Sequence, residues 1–208
     1  MPGPGTKTDF STMTSIRARA LAAVLAAATL AATFAMSATL QEQTERLTYY
    51  KITGSSAREL RDAMNAKRPV GKDGRPHDAV TSWFVRWTYT TTGGSPGCAV
   101  KAFNVSLDLA MTLPQWTNES DATPQLLEHW RTYYAALVKH EEGHKAIGTS
   151  AAADIRDAGS RLSSEPSCSE LAKAVEKMTG EMLERYRQRE REYDRDTDHG
   201  RTQGARFP

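Results

Sequence analysis

Cysteine is scarce in this 208-residue chain, which holds only Cys98 and Cys168. Neither sits in the close C-x-x-C spacing of a zinc knuckle. In an oxidising compartment an isolated pair most simply forms one disulfide, here tying the middle of the chain to the segment after residue 160. Two free thiols are the alternative. An excess of one charge is lacking too: 27 Lys and Arg against 25 Asp and Glu leave a formal net charge of +2. The basic stripe with interleaved aromatics that marks a nucleic-acid binder is missing, so no nucleic-acid partner is expected. After the first forty residues there are no repeats and no low-complexity tracts.

Long apolar runs are absent with one exception, LAAVLAAATLAATFA at 21–35. Arg17 and Arg19 precede it, and Ala35 and Ser37 follow at the spacing a signal peptidase prefers. The run is short for a membrane span, which needs about 20 apolar residues. Residues 1–37 are therefore expected to be a signal peptide, with an uncleaved anchor as the alternative. Residues 38–208 are expected to form one exported domain, secreted or periplasmic. Membrane contact is expected only through that N-terminal segment. No cysteine follows the run, so no lipoprotein anchor is expected.

Hydrophobic periodicity organises the rest. RLTYYKITG (46–54) reads as a strand, and SSARELRDAMNAK (55–67) as a short helix capped by Ser55 or Ser56. Pro69 and GKDGRPHD make a loop. Trp83, Val85, Trp87 and Tyr89 alternate on one face of a strand over 80–91, and Phe103 to Leu113 do so over 98–113. With TTGGSPG between them, the two read as a hairpin. After Pro124 the steps become helical, through Leu127, Trp130, Tyr134, Leu137, Ile147, Ala151 and Ile155. SSEPS interrupts, and a second helix starts near residue 169, with Leu171, Val175, Met178, Met182 and Tyr186 on one side. Its flank ERYRQREREYDRD reads as a solvated face, and TDHGRTQGARFP as loop. The expected fold is α+β, a small antiparallel sheet packed on two long helices.

His140-Glu141-Glu142-Gly143-His144 fits H-E-x-x-H, and both histidines fall in phase with the apolar stripe. On a helix, residues four apart share a face, so two imidazoles can hold one zinc ion at about 2.0–2.1 Å. Zinc lowers the pKa of a bound water to about 7, and Glu141 is placed to take its proton as general base. Glu142 lies on another face and is expected to be solvated. The plain alternative is a pair of hydrogen-bonded core histidines, which costs free energy beside a buried glutamate without a metal.

A catalytic zinc needs a third protein ligand. The position for a third histidine in the extended motif holds Ser150. Glu165 sits in a loop before Pro166, and Asp154 lies about 15 Å along the helix from His144. That leaves the end of the second helix: His199 as first choice and Asp194 as second, one binding zinc and the other orienting an imidazole. Tyr193 is a candidate donor to an oxyanion. Trp83 and Trp87 read as core, and His77 and His129 receive no role.

YYKITGSSARELRDAMN, TSWFVRWTY, Cys98, TLPQW, HWRTYYAALVKHEEGH and YDRDTDHGRTQGA together cover most of residues 47 to 205. In these segments the chain resembles a bacterial domain family of unknown function described as predicted secreted zinc-dependent proteases. The resemblance implies a zincin-like exported hydrolase with a protein or peptide substrate, and favours His199, Asp194 and Tyr193 as site residues beside His140, His144 and Glu141. It supplies no substrate. A zinc-stabilised, non-catalytic binding or scaffold domain of the cell envelope is the alternative function, and a non-peptide amide or ester hydrolase is a weaker one.

Overall fold

The computed structural model describes residues 42–93 and 97–208. The expected signal segment and the tip of the hairpin turn lie outside the described residues. In chain order the elements are β1 (Glu42–Ile52), α1 (Ala57–Lys67), β2 (Val80–Thr91), β3 (Val100–Trp116), α2 (Pro124–Ser160) and α3 (Cys168–Thr197). Short 3-10 turns occupy Glu119–Asp121 and Arg201–Gln203.

The alternation in β3 fixes the centre of the α+β fold. Phe103, Val105, Leu107, Leu109, Met111 and Leu113 are all buried against the helices. β2 lies antiparallel on one side of β3, in register from Val80 opposite Thr112 to Thr90 opposite Ala102, with a one-residue shift before Thr91 opposite Val100. β1 lies on the other side and runs parallel to β3, so the three-stranded sheet is mixed rather than antiparallel throughout. Alternation reports which face of a strand is buried; it carries no information on which neighbour the strand pairs with, or in which direction. Pro114 is tolerated in the central strand because β2 pairing has already ended at Thr112.

Each helix starts where a side chain caps it. Ser56 accepts from Glu59 N, Thr123 from Leu126 N with Pro124 at the first turn, and Ser167 from Glu170 N. Such a cap contributes about 1 kcal/mol, less than one well-buried leucine at about 1.5–3 kcal/mol. The apolar stripes therefore do most of the holding. They form two cores. One gathers Ile52, Leu60, Met64, Trp130, Tyr133, Leu137 and Phe207 around the first half of α2. The other gathers Trp83, Val105, Leu107, Ala151, Ile155, Val175 and Tyr186 around its second half. The stretch 140–144 falls between them.

The Cys98–Cys168 disulfide is formed and joins the segment before β3 to the first residue of α3. Beside it, Cys98 and Glu165 exchange two backbone hydrogen bonds of 2.8 and 2.9 Å. Glu165 is thereby placed at this staple, away from the histidines.

Candidate metal centre

The helical phase of α2 turns His140, Glu141 and His144 inward, and they are 3%, 3% and 6% exposed. Glu142 points outward and pairs with Lys145. α3 returns antiparallel to α2. That register sets Asp194 opposite both histidines and Glu190 opposite His144.

Three ligand atoms converge. His144 Nε2 lies 3.2 Å from His140 Nε2 and 3.0 Å from Asp194 Oδ1. His140 Nε2 lies 3.3 Å from the same oxygen. A tetrahedral zinc with bonds of about 2.0 Å has its ligand atoms about 3.3 Å apart, so the trio has the dimensions of three corners of such a cage. The other imidazole nitrogens are held from behind. His140 Nδ1 is 3.1 Å from Gln203 Oε1, and His144 Nδ1 is 3.2 Å from Glu190 Oε1. An Nδ1–H donated to such an acceptor leaves Nε2 with its lone pair free for a cation. The donor set therefore suits a divalent metal ion.

The electrostatics agree with a site built around positive charge. Burial would depress His144, but hydrogen bonds with Asp194 and Glu190 outweigh it and lift the imidazole to about 10. Burial would raise Asp194, but contacts with His140 and His144 hold its carboxyl well below the usual range. Burial pushes Glu141 up, opposed by the neighbouring Thr81 hydroxyl and the two histidines. Glu141 Oε2 and Thr81 Oγ1 are both buried without a hydrogen-bond partner among the described residues.

The chain reverses at Asp198, His199 and Gly200, which all have positive φ. Gly200 meets this with the residue suited to it, and a Cβ there would come within 3.0 Å of the His140 ring. The reversal returns Arg201–Gln203 to α2 and delivers Gln203 to His140. His199 stands beyond the trio, 47% exposed, with Nδ1 3.4 Å from Asp194 Oδ1 and its ring 5.2 Å from that of His77. Asp194, the second choice from sequence, is the residue that completes the convergent group. Tyr193 stacks on His140 and bonds to His140 O and Gln203, and it is not part of the cleft wall.

Glu190 and Gln203 were not singled out from sequence. Glu190 had a readable signal: Glu190 and Asp194 are four apart, like His140 and His144, and two such pairs face each other when helices pack antiparallel. Gln203 had none, because its position depends on the three-residue reversal.

The trio opens into a cleft of about 770 Å³. Its walls are Val80, Thr81 and Trp83 of β2, the 68–79 loop, the α3 end and the C-terminal turn. No helix among the described residues is long and apolar enough to cross a membrane. The chain matches no curated protein and no solved structure. Residues 47–200, which contain all three convergent ligands, match one family across most of the chain, and the protein belongs to it: the bacterial proteins of unknown function DUF922.

Proposed function

We propose that this protein is an exported zinc-dependent hydrolase of peptide bonds. The observation that carries the reading is Glu141, whose Oε2 is buried with no hydrogen-bond partner among the described residues, beside three convergent ligand atoms at the edge of a cleft. His140, His144 and Asp194 would hold the ion. When bound, zinc lowers the pKa of the attacking water to about 7 and polarises the scissile carbonyl. Glu141 takes the proton at Oε2 and returns it to the leaving amine. Glu190 and Gln203 fix the two imidazoles, so the ligand lone pairs are aimed before substrate arrives.

The open edge of the sheet supports a peptide as substrate. β2 pairs with β3 only among the described strands, and it contributes to the cleft wall. An extended chain can add to such an edge through main-chain hydrogen bonds. The disulfide supports work outside the cytoplasm, where such bonds persist.

Glu141→Gln should keep the metal and lose turnover of a mixed peptide library. Undiminished cleavage in that variant would rule the mechanism out. One observation favours the second reading, a structural metal in a scaffold domain: His199 Nδ1 is 3.4 Å from Asp194 Oδ1, close enough to supply a fourth ligand on a small shift. Four protein ligands in metal-edge spectroscopy of the loaded protein would favour it.

A further inference from the structure

The cleft carries more positive charge than its own acids balance. With Glu141 counted, six Asp and Glu stand against seven Lys and Arg in the lining, and the acids other than Glu141 are engaged. Glu190 and Asp194 face the histidines, Asp78 is paired with Arg61, Asp73 with His77, and Asp198 with Arg201. Four cations in the wall have no carboxylate partner within it. The Lys72 ammonium sits over the Trp83 ring, 5.3 Å from its centroid. Arg206 Nε donates to the Arg201 carbonyl. Arg187 and Arg191 pair with Glu184, which is not among the lining residues. Lys72 and Arg206 have no ion-pair partner at all among the described residues. Arg68 Nε and Trp83 Nε1, both in the wall, are buried donors without an acceptor among the described residues. A divalent ion at the trio would add two further positive charges. A cleft of one sign concentrates ligands of the other and repels like charge.

We infer that the cleft selects peptides bearing a carboxylate, with Lys72 and Arg206 as the side chains that bind it. The inference rests on the cleft being a peptide site. The carboxylate comes from an acidic side chain or from a free peptide C-terminus, two sources with the same chemistry. Lys72 offers an ammonium held against an aromatic face, and Arg206 a guanidinium whose terminal nitrogens have no partner among the described residues, suited to a two-point grip.

The test is fluorescence anisotropy on zinc-loaded Glu141→Gln protein, which holds peptide without cutting it. One labelled hexapeptide carries two glutamates and is capped at both ends; its isostere carries two glutamines. A third peptide is the glutamine sequence with a free C-terminus. Tighter binding of the glutamate peptide, about ten-fold at low salt and less at high salt, is expected if side chains are read. The same preference for the third peptide would identify the terminus as the source. Lys72→Gln and Arg206→Gln should each erase several-fold of the preference while thermal melting is unchanged, and Lys72→Arg should restore it. Equal binding of all three peptides would overturn the charge selection and leave the hydrolase reading standing. Binding of none, with zinc present, would overturn both.

Discussion

Tyr193 lies flat on His140, with ring centroids 5.0 Å apart and planes 10° from parallel, and its hydroxyl donates to the His140 backbone carbonyl at 3.2 Å. Only a glycine at 143 allows this. A Cβ there would stand 2.1 Å from the Tyr193 hydroxyl oxygen. In an open helix Gly→Ala stabilises by about 1 kcal/mol. Here the sign should reverse: Gly143→Ala forces the helices apart at the metal centre, and overpacking of this kind costs about 1–3 kcal/mol. Urea unfolding of Gly143→Ala, Tyr193→Ala and the double variant checks the steric origin. The double variant should be more stable than the sum of the single losses, because Tyr193→Ala removes the clash.

The ligand set makes a sharper claim. His140→Ala, His144→Ala and Asp194→Ala should each weaken zinc binding by more than about 100-fold, since supporting residues alone are worth about 10–100-fold. His199→Ala should weaken it far less, because His199 lies beyond the trio and is half exposed. Competition with a chromogenic chelator measures all four. Equal losses for Asp194→Ala and His199→Ala would point to a four-ligand site.

Glu190→Ala and Gln203→Ala test the residues behind the imidazoles. Each removes an acceptor for one Nδ1–H and should lower zinc affinity by about 10–100-fold with little effect on folding. Gln203 lies past the end of the family match at residue 200, so its effect also asks whether the C-terminal turn belongs to the working site. Unchanged affinity in both variants would show that the helices alone aim the ligands.

These residues also show what a sequence can disclose. His140 and His144 were legible because helix phase is local, and the same periodicity that buries Leu137 and Ile155 buries them. The strand spans and the disulfide were legible for similar reasons, alternation in one case and a lack of other partners in the other. The parallel pairing of β1 was not. Its outer residues are nearly all solvated, so no stripe tied it to a neighbour. The choice between Asp194 and His199 depended on the α2–α3 register, and the position of Gln203 on three successive left-handed residues; neither is encoded in a window of neighbouring residues.

The staple between Cys98 and Cys168 closes a loop across a sequence separation of 70. In the chain-entropy picture such a link stabilises by about 4 kcal/mol, chiefly by restricting the unfolded chain. Reduction, or the Cys98→Ser/Cys168→Ser pair, should therefore lower the urea midpoint markedly. The zinc affinity of the protein that remains folded should change little, because the bond lies at the start of α3 and the trio at its end. A loss of zinc in step with reduction, before any unfolding, would contradict that separation.

Tyr133 donates to Asp78 Oδ2 at 2.7 Å, and Tyr50 donates to the Asp78 carbonyl at 2.7 Å. Burial, with the Asp78 charge adding to it, pushes both phenols well above their usual value. A folded-state value raised above the unfolded value of about 10 contributes stability that is complete below pH 10. As pH rises past that point the unfolded chain releases its protons while the folded one cannot, so stability falls. Urea midpoints should thus be flat up to about pH 9 on this account and drop steeply above pH 10, with tyrosinate absorbance appearing only as the chain unfolds. Tyr133→Phe should cost about 1 kcal/mol at neutral pH for the lost hydrogen bond and make the alkaline decline shallower. A decline as steep as in the parent would place the alkaline sensitivity elsewhere.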